Sequence, residues 1–102
     1  MKLNDVLDER IIDMHVQAEN KDEALTVLAQ RLKDANYIDD VASFKKDIYL
    51  RESEGMTGIG NYVAIPHGKS DSVTNVGIAI GKLDHEIEWE TLDGNGVKLI
   101  FL

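Results

Sequence analysis

Residues 57–68 read Thr-Gly-Ile-Gly-Asn-Tyr-Val-Ala-Ile-Pro-His-Gly, a glycine-rich signal followed by a short apolar run that stops at Pro66 and His67. Glycine lets the backbone turn tightly, whereas proline fixes φ and removes a donor. The pattern predicts a turn at Gly58–Gly60, a strand over residues 62–65 and His67 at the strand exit. Because a neutral imidazole is nucleophilic near pH 7, His67 is the first candidate functional residue.

Helices and strands alternate on both sides of this stretch. Before it, the apolar spacing predicts a helical turn at residues 3–7, a half-buried strand at residues 12–17, a helix from the Asn20 cap to Asn36, and a second helix from Asp39 or Asp40 to Gly55. After it, the pattern predicts strands at residues 75–83 and 97–102 and turns at residues 84–86 and 93–96. Such alternation predicts an α/β domain with helices packed on a mixed sheet.

Length and composition limit the class of protein. A chain of 102 residues predicts one domain, residues 1–102, and a net charge of -8 without a basic patch argues against a nucleic-acid partner. The chain has no cysteine, which excludes disulfides and cysteine-ligated metals. It has neither an apolar run of roughly 18 residues nor a signal peptide, so we expect a cytoplasmic protein without direct membrane insertion.

The last four residues, Leu-Ile-Phe-Leu, are an apolar run without a closing turn or cap. Natural domains usually finish at an exposed surface. We therefore expect this sequence to be the N-terminal part of a longer domain whose C-terminal elements are missing. We also expect its unpaired apolar end to favour homo-oligomers.

Arg51 at a predicted helix end and His67 together suit a phosphate site. A phosphorylated imidazole carries nearly two negative charges, which a guanidinium fork and free backbone N–H groups can bind. Thr57 offers a hydroxyl, and glycines let the backbone approach the phosphoryl group; the supporting candidates are Thr57, Gly58, Gly60 and Gly68. The alternatives are that His67 is a structural turn residue and that Arg51 only satisfies carbonyls or pairs with Glu52 or Glu54.

Other catalytic patterns are weaker or absent. His15 lies on the polar face of its predicted strand and His85 lies between Asp84 and Glu86, so both are expected to be solvated and no metal site is predicted. The Gly-Ile-Gly triplet lacks the third glycine of a dinucleotide motif and the basic residue of a P-loop. Neither a nucleophile elbow nor a metalloprotease motif is present.

The stretch from Arg51-Glu52 through Ala64-Ile65-Pro66-His67-Gly68 to Lys69-Ser70 resembles the phosphorylation-site signature of enzyme IIA domains of the fructose/mannitol class. These domains belong to the bacterial phosphoenolpyruvate-dependent sugar phosphotransferase system. Residues 87–102 are similar to the fructose branch in particular, and the likeness covers essentially the whole chain.

The resemblance implies that Nε2 of His67 accepts a phosphoryl group from the phosphohistidine of HPr and passes it to a cysteine of a IIB domain. Arg51 matches the arginine that stabilises the phosphohistidine. No cofactor is implied, because the imidazole itself is the carrier. The implied fold is a mixed sheet flanked by helices.

The sequence departs from this family in two places. Tyr62 stands where the family commonly has glycine, and the family's second histidine near the phosphoryl group has no counterpart here, because His85 lies too early. Two other functions remain open. One is a regulatory, phosphorylation-sensing domain of the nitrogen-related or transcription-regulator type, and the other is an interaction domain in which His67 is structural.

Overall fold

The computed structural model describes residues 8–67, 70–75 and 77–102. Within these ranges, five strands form one sheet: β1 (Ile12–Val16), β2 (Gly58–Gly60), β3 (Val63–Ala64), β4 (Ile80–Ile87) and β5 (Val97–Phe101). The helical turn predicted at residues 3–7 lies outside the described residues, as do Gly68 and Lys69 of the signature.

The sheet is mixed, with the strand order β1-β4-β5-β3-β2. β4 pairs parallel with β1 and antiparallel with β5. β3 pairs parallel with β5 and antiparallel with β2. Because β3 and β5 run in the same direction, their carboxyl ends lie on the same side of the sheet, and His67 follows β3 there. The mixed sheet with its helices confirms the α/β prediction.

Helix α1 (Lys21–Asp34) begins where the capping pattern predicts. The Asn20 side chain accepts a hydrogen bond from the Glu23 backbone N–H, which satisfies one of the donors that a helix start leaves unpaired. The helix packs on β1 and β4. Its inward face is fully buried and is formed by Ala24, Leu25, Leu28 and Ala29.

Helix α2 (Val41–Glu52) packs against α1. Of the two predicted caps, Asp40 is the one used, because its side chain accepts from the Ser43 N–H. The helix stops at Glu52, three residues before the predicted end at Gly55. The hydroxyl of Ser53 donates to the Leu50 carbonyl at 2.6 Å and takes up an acceptor of the last turn. This earlier end leaves Arg51 in the final turn.

The fourth strand differs from its prediction at both ends. It begins at Ile80 rather than at residue 75, because the segment before it pairs with the loop after α1: Thr74 N–H donates to the Tyr37 carbonyl at 2.9 Å. The turn predicted at residues 84–86 is wrong. The strand continues to Ile87, which pairs with Val97, so pairing with β5 on both sides of a register shift between Lys82 and Ile87 carries the strand through residues 84–86.

The first strand lies where the alternation predicts, but its burial is less regular. Val16 is buried, whereas Met14, expected on the same buried face, is 50% exposed. β1 is an edge strand, and its register with β4 shifts between Asp13 and Val16. The irregular register explains why the period-two pattern predicts Met14 incorrectly.

Within the part of the chain that the structure describes, the helices are too short and too polar to cross a bilayer.

Candidate functional site

Strands β2 and β3 form the hairpin that leads to His67. Its turn falls on Asn61 and Tyr62, whose φ angles are 55° and 65°. Positive φ at both central residues is what a tight hairpin turn requires. The prediction of a turn at Gly58–Gly60 is therefore wrong, since these residues form β2, and β3 begins one residue later than predicted.

The side chain of Asp93, which lies outside the hairpin in sequence, bonds the backbone of its turn. Its Oδ2 accepts the Asn61 N–H at 3.0 Å, and its Oδ1 accepts the Asn95 N–H at 3.1 Å. These backbone hydrogen bonds lower the pKa of the Asp93 carboxyl, because they favour its charged form. The sequence predicts a turn at residues 93–96, but nothing in it indicates that Asp93 reaches the turn before His67.

Gly58 and Gly60 allow the segment from Glu90 to Asp93 to lie close to the hairpin. A Cβ on Gly58 would lie 2.5 Å from the Glu90 carbonyl oxygen, and Gly60 has a φ of 95° with Asp93 Oδ2 3.3 Å from its Cβ position. A larger residue would clash at the first position and be strained at the second. Both glycines thus have a structural reason to be present, independent of any phosphate.

His67 is exposed and lies just after β3, behind the fully buried Pro66. Its Nδ1 lies 2.8 Å from the carbonyl oxygen of Ile65. A carbonyl oxygen can only accept, so Nδ1 is the donor in this contact, and in the neutral imidazole the lone pair is then on Nε2. Among the described residues, Nε2 has no hydrogen-bond partner. This nitrogen is available as a nucleophile.

Arg51 lies in the last turn of α2 and is half-buried. Its Nη1 donates to the Gly55 carbonyl at 3.3 Å, the carbonyl contact that the structural alternative expects. Within residues 8–67, 70–75 and 77–102, no carboxylate forms an ion pair with Arg51, so the pairing with Glu52 or Glu54 is not observed. Since a guanidinium has five N–H donors, most of them remain for an anion.

Thr57 has a different environment from the one expected. The residue is 2% exposed, and its hydroxyl donates to Oε1 of Glu52. The other oxygen, Oε2, lies 2.7 Å from Nζ of Lys21. The Thr57 hydroxyl is therefore engaged in a buried polar cluster in this structure.

The same cluster reaches the indole of Trp89. Lys21 Nζ lies 4.7 Å from the centre of that ring, within the range of a cation–π contact. Sequence reasoning missed Lys21, because it lies 31 residues before Glu52 and only the packing of α1 on α2 brings the two together. The sequence offers one indication that this cluster lies near the candidate site: its member Glu52 is adjacent to Arg51.

His67 also borders a mainly apolar cavity of about 160 Å³. Its other walls come from α1, α2, the segments after α1 and before β4, and the residue after β5; they include Leu32, Tyr37, Ile38, Phe44, Val73 and Leu102. The imidazole therefore has polar backbone on one side and apolar surface on the other.

The other two histidines belong to a different part of the sheet. His15 on β1 lies 3.3 Å from Asp84 Oδ1, and His85 on β4 lies 3.9 Å from Glu19 Oε2; both are exposed. The turn expected around His85 is a continuous strand. In the described ranges, histidine and carboxylate side chains do not assemble into a group of three that could hold a metal ion.

Comparison with known proteins gives a match over nearly the whole chain. The family model described as "Phosphoenolpyruvate-dependent sugar phosphotransferase system, EIIA 2" matches residues 5–102. The chain is 33% identical over 102 residues to the PTS system fructose-specific EIIABC component of Bacillus subtilis, covering 100% of this chain and 16% of that protein. The chain thus spans about a sixth of this relative.

Two solved structures show the same fold. The nitrogen regulatory protein IIA-Ntr of Neisseria meningitidis superposes with a TM-score of 0.87 at 25% identity, covering 97% of this chain and 67% of that one. Enzyme IIAMTL of Escherichia coli, solved in complex with phosphorylated enzyme IIBMTL, superposes with a TM-score of 0.78 at 19% identity, covering 93% and 67%.

Proposed function

We propose, from the premise that this chain belongs to the EIIA type 2 family of the phosphoenolpyruvate-dependent sugar phosphotransferase system, that it is a phosphocarrier with His67 as the phosphoryl acceptor. The observation that carries the proposal is the hydrogen bond between His67 Nδ1 and the Ile65 carbonyl. It leaves the lone pair on Nε2 of an exposed imidazole at the end of a strand.

The proposed reaction consists of two transfers. Nε2 attacks the phosphorus of a phosphohistidine on HPr, the P–N bond of the donor breaks as the new P–Nε2 bond forms, and the donor imidazole leaves with the electron pair. A cysteine thiolate of a IIB domain then attacks the same phosphorus, and the P–Nε2 bond breaks. The imidazole is the carrier in both steps, so the proposed transfer uses no cofactor.

Arg51 is proposed to stabilise the phosphoryl group on His67. Phosphoryl transfer requires mainly positioning and charge stabilisation from the protein. A guanidinium with several uncommitted donors suits a dianionic group, because it can bind two oxygens at once. Gly68, which lies outside the described residues, is proposed to offer its backbone there, whereas Thr57, Gly58 and Gly60 are proposed to support the site by holding the hairpin.

The proposed partners are HPr and a IIB domain, with both transfers in the cytoplasm. The IIB partner is supported by the E. coli complex of a IIA and a phosphorylated IIB enzyme, and by the name EIIABC of the Bacillus relative. HPr enters as the donor that the family signature implies. The sugar would be taken up through a membrane partner, and fructose is the substrate class that the Bacillus relative favours.

A second candidate function is regulation. The likeness to the Neisseria nitrogen regulatory protein favours it, since the TM-score is 0.87 over 97% of this chain. In that case His67 would still be phosphorylated, but the phosphoryl group would alter an interaction and would not reach a sugar. Transfer onward to a IIB domain distinguishes the two functions.

Mass spectrometry after incubation with phosphoenolpyruvate, enzyme I and HPr tests the proposal. We expect the mass of one phosphoryl group on the wild-type chain, lost in acid and absent in His67→Ala. The matched control is His15→Ala, which removes an exposed histidine elsewhere and should keep the adduct. An unmodified wild-type chain, or an adduct that persists in His67→Ala, would refute the proposal.

A further inference from the structure

A chain of four polar contacts connects a partly buried ion pair to the His67 imidazole. Lys21 pairs with Glu52, and Glu52 accepts the Thr57 hydroxyl. The Thr57 carbonyl accepts the Ile65 N–H at 2.9 Å, and the Ile65 carbonyl accepts from His67 Nδ1 at 2.8 Å. Each link ends on the residue at which the next begins.

The ion pair at the start of this chain is partly buried, and both oxygens of its carboxylate are engaged. The side chains of Lys21 and Glu52 are 18% and 6% exposed, and both carboxylate oxygens of Glu52 have partners. Burying two charges is costly unless geometry and hydrogen bonds compensate for the lost water. A satisfied network of this kind is rigid, because displacing one member leaves another unpaired.

The positions of the two charges are unfavourable for the helices that carry them. Lys21 is the first residue of α1, where the helix dipole disfavours a cation, and Glu52 is the last residue of α2, where it disfavours an anion. Helix stability therefore gives no reason for either charge. Their placement does join the start of α1, the end of α2 and the residue before β2.

We propose that Glu52 is a positioning residue for His67, acting through Thr57 and the Ile65 carbonyl to hold the imidazole with its Nδ1 protonated and its Nε2 available. Glu52 does not touch the reacting atoms in this scheme. It fixes Thr57, Thr57 fixes the backbone of Ile65, and Ile65 sets the tautomer. The assignment deepens the phosphocarrier function proposed above and rests on it.

Thr57→Val is the sharpest test, because it removes only the hydroxyl and keeps the volume. We expect kcat for transfer from phosphorylated HPr to fall about tenfold, since small misplacement of a reacting group is costly. The KM for that donor should stay unchanged, because the exposed surface is intact. Nitrogen-15 NMR of the unphosphorylated protein should show less of the Nδ1-protonated tautomer of His67.

Two further variants separate positioning from general destabilisation. Thr57→Ser restores the hydroxyl and should recover both kcat and the tautomer. Thr26→Val is the matched control: the hydroxyl of that threonine also has a charged partner, since Lys45 Nζ donates to it at 2.7 Å, but it lies on α1 outside the chain of contacts. It should leave both measurements at the wild-type value.

A folded Thr57→Val protein with wild-type kcat and tautomer would overturn the proposal. Should that variant fail to fold, Glu52→Gln keeps the volume but replaces one of the two acceptor oxygens with an NH2 group, which disturbs the contact with Lys21 or with Thr57. It should shift both readouts in the same direction; no shift would again overturn the assignment. If the wild-type chain accepts no phosphoryl group, the phosphocarrier function fails, and the tautomer measurement alone decides whether Glu52 positions His67.

Discussion

The carbonyl oxygen of Ile65 lies 2.8 Å from Nδ1 of His67, only two residues further along the chain. This contact fixes the tautomer locally, because a carbonyl accepts and cannot donate. The buried Pro66 between the two residues limits the backbone that joins them. The backbone next to His67 thereby determines which ring nitrogen has no partner in the described residues.

The position of the phosphoryl adduct follows from this contact. We expect the phosphorus on Nε2 of His67, with Nδ1 still donating to Ile65. The retained proton leaves positive charge on the ring, which makes the imidazole a better leaving group in the next transfer. Phosphorus–nitrogen couplings in NMR spectra of the nitrogen-15-labelled adduct measure the position directly.

A sample of the same adduct unfolded in urea serves as the control, because the bond position survives unfolding while folded-state shifts do not. Phosphorus found on Nδ1 would contradict the orientation described here.

Arg51→Ala should slow phosphorylation or shorten the life of the adduct. A hydrogen bond to a charged group contributes about 1.5–3 kcal/mol, which corresponds to about tenfold or more in rate. Arg51→Lys keeps the charge but loses the planar fork, so it should recover only part of the effect. Quench-flow kinetics and adduct decay measure both quantities; rates equal to wild type in Arg51→Ala would remove this residue from the site.

Much of the fold could be predicted from local pattern. The capping residues Asn20 and Asp40 and the apolar spacing after them define both helices, because caps and helical periodicity are local properties. Local pattern predicts a strand over residues 75–83, whereas the strand spans Ile80–Ile87, because its ends depend on partners distant in sequence. Ile87 continues the ladder with Val97 although three polar residues precede it.

In the candidate site, too, some features follow from local sequence and others depend on residues distant in sequence. The exposure of His67 at a strand exit and the place of Arg51 at a helix end follow from neighbouring residues. The environment of Thr57 does not, since a carboxylate on α2 and an ammonium on α1 define it. The glycine pattern predicts the hairpin turn too early in the sequence, because a tyrosine at positive φ is uncommon and glycine positions do not indicate it.

Tyr62→Gly should relieve backbone strain in the hairpin. Tyr62 has a φ of 65° and is 43% exposed, so its side chain adds little packing to offset the left-handed backbone. Tyr62→Ala loses the same side chain but keeps the strain. We expect the glycine variant to be more stable than the alanine variant by about 1 kcal/mol in urea unfolding. Equal stabilities would show that the turn relaxes and stores no strain.

Asp93 should make the stability of the protein depend on acid pH. Hydrogen bonds from the Asn61 and Asn95 N–H groups hold the pKa of this carboxyl below its usual range. A group whose folded-state pKa is lowered stabilises the protein above its unfolded pKa, about 3.9, and loses that contribution as pH falls through the folded value. Asp93→Asn should therefore be less stable than wild type at pH 7, and the difference should shrink below about pH 4.

Urea unfolding of the wild type and of Asp93→Asn between pH 7 and acid pH checks whether the stability difference shrinks as the pH falls. Asp71→Asn is measured alongside as the matched control, since it makes the same substitution at an exposed carboxyl outside the hairpin. A stability difference between wild type and Asp93→Asn that widens as pH falls would contradict the lowered pKa of Asp93.

If the hairpin turn also orients His67, Asp93→Asn should slow phosphorylation at pH 7, because Asn61 loses a charged acceptor just before the strand that carries the histidine.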